Sequence, residues 1–115
     1  MDIRSQLEHA NLIPVESSTL TPEMIRDLSQ EFSVLLVCDI AKNPNNAQRS
    51  EYVKALVDGD VISTELMDGV LADETLVIIV PFHTLQIAER TYRNIDHASH
   101  FVTVWLDGAP YITAC

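Results

Sequence analysis

Basic side chains are scarce in this chain of 115 residues: seven lysines and arginines stand against seventeen aspartates and glutamates, a formal net charge of -10. Direct binding to a nucleic-acid backbone or to an anionic membrane surface is therefore disfavoured, because both require a cationic face. Long apolar runs are absent as well. None approaches the roughly 18 residues of a membrane-spanning helix, and Met1-Asp2-Ile3-Arg4 leads into no signal-peptide core, so a cytoplasmic protein without a membrane partner is expected. Only two cysteines occur, Cys38 and Cys115, with no spacing that marks a disulfide framework or a metal site; Cys38 lies in an apolar run, where a reduced, buried thiol is expected. The three glycines build no phosphate-binding loop, and Asp58-Gly59-Asp60 would repel phosphate. No cofactor is expected.

What the chain does have is 47% hydrophobic residues, enough for one domain to bury a single core. Its most informative stretch is Leu76-Val77-Ile78-Ile79-Val80-Pro81. Five aliphatic residues without alternation, rich in β-branched types, predict a strand covered on both faces. Val34-Leu35-Leu36-Val37-Cys38, ended by Asp39, is a second strand of the same kind and should lie beside it.

Helical spacing fills the gaps between strands. Ile3, Leu7 and Ala10 predict a short amphipathic helix that ends before Pro14, and Val15 to Leu20 reads as a loop. Thr21 then looks like an N-cap with Pro22 at the first helical position, and Met24, Ile25, Leu28 and Phe32 give the buried face of a helix to about Glu31. After the turn formers Asn43-Pro44-Asn45-Asn46, of which one asparagine should cap the next helix, Tyr52, Val53, Leu56 and Val57 form a stripe with Arg49 and Lys54 outside. A short helix near Ser63, whose hydroxyl is expected to cap it, would turn Leu66, Met67, Val70 and Leu71 inward, with Gly69 weakening it. Phe82, Leu85, Ala88, Tyr92 and Ile95 predict a third main helix with Glu89, Arg90 and Arg93 near solvent.

Asp96 to Ser99 form a link to a strand over Phe101 to Leu106, and Asp107-Gly108 between apolar runs is a hairpin signal. Residues 110–114 should return antiparallel at the sheet edge, because Pro110 cannot donate to a ladder. A two-residue turn would put Trp105, Ile112 and Phe101 on one face, and Val104 and Tyr111 on the other. Trp105, Tyr111 and Ile112 thus become candidates for self-association as a homodimer or as a structural subunit.

The expected fold is α/β, with α+β as the alternative: N-terminal helices, then a four-stranded mixed sheet of βαβαββ connectivity in order 2-1-3-4, ending in a C-terminal β-hairpin. Long helical excursions suggest that its first three strands are parallel. That order resembles thioredoxin-type sheets in topology alone, for the chain has no Cys-x-x-Cys.

In a parallel sheet, ligands collect at the strand carboxyl ends. Asp39 and His83 would meet there as an oriented base, with Cys38 or Thr84 as nucleophile, the enzymatic reading of the chain. Its plainer counterpart makes Asp39 a turn residue and His83 a surface histidine. His97 and His100 are spaced as metal ligands, yet with only Asp96 or Cys115 to join them no metal site is expected.

Acidity is also concentrated. No lysine or arginine lies between Lys54 and Arg90, while Asp58, Asp60, Glu65, Asp68, Asp73 and Glu74 fall in that interval. Their spacing does not fit a calcium loop. Either they form a merely solvated face, or they recognise a basic protein surface as a nucleic-acid mimic would, which suggests a non-enzymatic regulator or inhibitor of the viral or immunity-protein kind.

Overall fold

The computed structural model describes residues 2–42 and 45–112. In chain order the elements are α1 (Ile3–His9), β1 (Ile13–Glu16), α2 (Pro22–Phe32), β2 (Val34–Cys38), α3 (Asn46–Asp58), α4 (Met67–Ala72), β3 (Leu76–Phe82), α5 (Leu85–Asn94), α6 (Ala98–Phe101), β4 (Val102–Leu106) and β5 (Ala109–Ile112), with single 3-10 turns at Ile40–Lys42 and Thr64–Leu66. The strands make one five-stranded sheet in order β1-β3-β2-β4-β5, with every neighbouring pair antiparallel.

This corrects the expected four-stranded mixed sheet. The neighbour order of β3, β2, β4 and β5 is the one anticipated, but β2 and β3 are antiparallel, with Cys38 opposite Ile78 and Val34 opposite Phe82. The α3–α4 excursion therefore returns the chain to the end of the sheet it left. Its length permits a parallel crossover without requiring one. The α5–α6 connection does cross over: Val102 and Ile78 both lie opposite Cys38, so β3 and β4 run parallel with antiparallel β2 between them. The fifth strand, β1, lies partly in the segment read as a loop; Glu16 pairs with Leu76 and Ile13 with Ile79.

Both faces of β2 and β3 are covered, as their unalternated composition requires. One face, with Leu36, Cys38, Ile78 and Val80, meets Leu7, Tyr52, Val53, Leu56, Val70, Ala88, Ile95 and Phe101 in the larger core. The opposite face, with Leu35, Val37, Val77, Ile79 and Trp105, is covered by α2 through Ile25 and Leu28. Three prolines sit where the ladder has an open side: Pro14 and Pro110 in the edge strands, and Pro81 beyond Ile79, where β1 has stopped.

Local capping follows the sequence at Thr21 and at one asparagine of the turn, but not at Ser63, which precedes its 3-10 turn without a side-chain cap bond. Thr21 accepts the Met24 N–H and Thr84 the Ile87 N–H, while Asn45 accepts those of Ala47 and Gln48. Asn43 and Pro44, which belong to the expected turn, lie outside the described residues, as do Thr113 and Ala114 of the expected last strand. The β4–β5 turn has Asp107 at φ 49° and Gly108 at φ 93°, the paired positive values of a tight hairpin turn.

Other expectations need correction. Met24 and Phe32, expected inside, are 39% and 38% exposed, because a single helix covers that face and only its central stripe reaches the sheet. Phe82 ends β3 instead of opening α5, and Phe101 ends α6 instead of opening β4. An irregularity between Val104 and Trp105 shifts the hairpin register, so Trp105 lies opposite Pro110 and Val104 opposite Ile112. A regular two-residue hairpin would instead set Ile112 opposite Thr103. Arg49, placed outside α3, is 4% exposed. It precedes Tyr52 and Leu56 by three and seven residues, so the helical period sets it on the buried stripe.

Candidate functional site

The acidic segment runs along the helical layer on the larger-core side of the sheet. Asp58 ends α3, Asp60 follows it at φ 62°, Glu65 lies in the 3-10 turn, Asp68 in the first turn of α4, and Glu74 just beyond that helix. All five are exposed, and none forms an ion pair with another described residue. Their charge is thus directed to solvent.

Asp73 differs from these five. Its carboxylate receives two hydrogen bonds from Arg4, at 2.9 and 3.3 Å, and one from Thr75 Oγ1 at 3.2 Å. Arg4 also binds Glu16 at 2.9 Å, so one guanidinium ties α1, β1 and the approach to β3 together. These bonds hold the Asp73 carboxyl below the usual carboxylate range, the Arg4 hydrogen bonds contributing most. Asp73 serves an internal network, which sets it apart from the surface acids.

A cavity of about 230 Å³ opens between α3 and the α5–α6 link, lined by Glu51, Lys54, Asp58, Asp96 and His97. Here Lys54, the last cation before the acidic interval, is set among three carboxylates. The cavity is large enough for a single side chain of a partner.

The residues of the enzymatic reading are not brought together. Asp39 follows β2 at the Cys38 end, whereas His83 follows β3 at the Val34 end. Five residues of strand, on the order of 15 Å, separate the two ends. The Asp39 carboxyl is half-buried and raised above its ordinary range by that burial; it lines a cavity of about 170 Å³ with Lys42, His100 and Thr103. Cys38 is fully buried and its thiol is pushed up to about 12 by desolvation, which leaves negligible thiolate. The Thr84 hydroxyl is the N-cap of α5.

His97 and His100 lie with ring centroids 6.0 Å apart, and no group of three potential metal ligands exists among the described residues; Cys115 lies outside them. No helix is long and apolar enough to cross a membrane among the described residues. Of the self-association candidates, Tyr111 is 50% exposed on edge strand β5, and Trp105 packs partly buried toward α2. The side chain of Ile112 lies outside what is described.

Fold and surface together define a single α/β domain with an antiparallel sheet between one helix on one face and a thicker acidic helical layer on the other. Comparison of the chain with protein-family models, with characterised proteins and with solved structures finds no match.

Proposed function

We propose that the protein is a small, cytoplasmic, non-enzymatic regulator or inhibitor that binds a basic protein surface through its helical layer. The observation that carries this reading is the set of five exposed carboxylates, Asp58, Asp60, Glu65, Asp68 and Glu74, held on packed secondary structure with no cation of the described residues paired to them. Such a surface attracts cations at long range and accelerates their encounter. Blockade is then steric and electrostatic: carboxylates occupy positions that phosphates would take on a nucleic-acid-binding partner.

The test is affinity capture from native lysate with the wild-type chain and with an Asp58→Lys/Glu65→Lys/Asp68→Lys variant, each washed at rising salt. The reading expects a basic protein retained by the wild type, released as salt screens charge pairs over about 8 Å, and absent from the variant. Equal capture by both chains, with the variant folded by circular dichroism, overturns it.

A second reading, self-association, draws on Tyr111 and the outer edge of β5, which pairs with no other strand among the described residues. It expects a dimer in sedimentation that Tyr111→Lys disperses. An unchanged mass on dilution and substitution removes it.

A further inference from the structure

Arg49 is the one charged side chain among the described residues that is buried, at 4% exposure. One of its amino groups donates to the carbonyl of Leu71 at 3.0 Å and, at 3.5 Å, to that of Asp73. The guanidinium thereby cups the carbonyl end of α4, where a positive charge is favoured. This satisfies only part of it. Its Nε–H is buried without an acceptor, and no carboxylate of the described residues lies within ion-pair range of the group. A buried cation lacking a counter-charge is costly, and a guanidinium presents donors in a fork suited to planar or tetrahedral oxyanions.

Beside it is a cavity of about 210 Å³, lined by Asn46, Arg49, Ser50, Leu71 and Glu74. That space exceeds the roughly 30 Å³ of a water several times over. Ser50 Oγ is engaged with the Asn46 carbonyl, so the Asn46 amide and the guanidinium are the donors on offer. Glu74, which is exposed, is the one carboxylate lining the cavity and repels any incoming anion.

We propose that Arg49 anchors a small oxyanion site between α3 and the end of α4, taking one phosphate or carboxylate group with Asn46 as its second donor. The bound anion supplies the counter-charge that Arg49 lacks, and Glu74 sets how weakly it is held. The inference does not rest on the acidic-face reading, with which it shares only Glu74, since the site faces an anion and that surface a cation.

The experiment is nuclear magnetic resonance titration of the full chain, following the Arg49 Nε–H signal against inorganic phosphate and, separately, acetate at constant ionic strength. Saturable displacement of Arg49 Nε–H, with the exposed Arg90 and Arg93 showing no saturable shift, is expected for at least one anion; which of the two binds more tightly identifies the source. Glu74→Gln should tighten binding by about three- to fivefold, the worth of one unit charge at contact range in a water-like medium. Arg49→Lys, which keeps the charge and loses the fork, should abolish the saturable shifts at Asn46. Absence of saturation in both the wild type and Glu74→Gln overturns the proposal, as does unchanged affinity in a folded Arg49→Lys protein.

Discussion

Ser29 Oγ, in the buried face of α2, accepts the backbone N–H of Gly108 at 2.8 Å, across 79 residues of sequence. The same hydroxyl donates to the Arg26 carbonyl at 2.9 Å, and the neighbouring Asp107 N–H donates to the Ser33 carbonyl at 3.0 Å. The β4–β5 turn is therefore docked on the helix that covers its face of the sheet. Ser29→Ala leaves the Gly108 donor part-buried without an acceptor and should cost about 1–3 kcal/mol in urea unfolding. Gly108→Ala should cost about 1 kcal/mol or more, because φ is +93° and the new Cβ would stand 3.0 Å from Gln30 Nε2. Wild-type stability in both would show that the hairpin does not depend on this docking.

The Arg4–Asp73 pair sets an acid limit on stability. Arg4 holds the Asp73 carboxyl low, so the unfolded chain takes up that proton more readily than the folded one. The contribution is complete above the ordinary carboxylate range and is lost as pH falls below about 4, through the folded value. Asp73→Asn should lower stability at neutral pH by about 1 kcal/mol, between the values of exposed and buried pairs. Its urea midpoint should then fall less steeply than the wild type's in acid. Parallel curves for the two proteins would contradict this.

Asp39 acts with the opposite sign. Burial raises its carboxyl, so the folded state favours the proton and stability is lost as pH rises through the folded value. Asp39→Asn should therefore gain on the wild type as pH is raised from acid to neutral, read as a growing difference in thermal midpoint. A constant difference would count against it.

Cys38 should resist thiol reagents in the native protein. In a Cys115→Ser background, labelling at pH 8 should proceed at the rate of unfolding, since the thiol is fully buried and pushed up to about 12. Rapid labelling without denaturant would refute the inert placement.

Two neighbouring positions of α2 should respond very differently. Ile25→Ala empties a site packed against Leu35, Val37 and Val77 and should cost about 2–4 kcal/mol. Met24→Gln should stay within about 0.5 kcal/mol, as expected of a substitution on an exposed flank. Comparable losses at the two positions in denaturant titrations would mean that the helix sits differently on the sheet.

Helices α1 to α5, strands β2 to β5, the hairpin turn and the covering of β2 and β3 on both faces were legible in the residues, because they depend on local sterics, hydrogen-bond chemistry and the period of apolar positions; β1 and α6, each four residues long, are too short to show a period. Thr21, the asparagine cap at Asn45 and Asp107-Gly108 announce their roles within a few residues. The acidic interval was equally visible, being a matter of composition. Strand direction was not, since a covered strand has the same composition in either sense, and only packing decides at which end the α3–α4 excursion returns. That decision parted Asp39 from His83 and removed the enzymatic pairing. The Arg4 partner of Asp73 was not legible, because a charge in sequence carries no record of distant neighbours, whereas the burial of Arg49 was there in its three- and seven-residue spacing to Tyr52 and Leu56 and was overridden by its charge. The chain had to close on itself before Arg4 reached Asp73 and Arg49 came to lie beneath the end of α4.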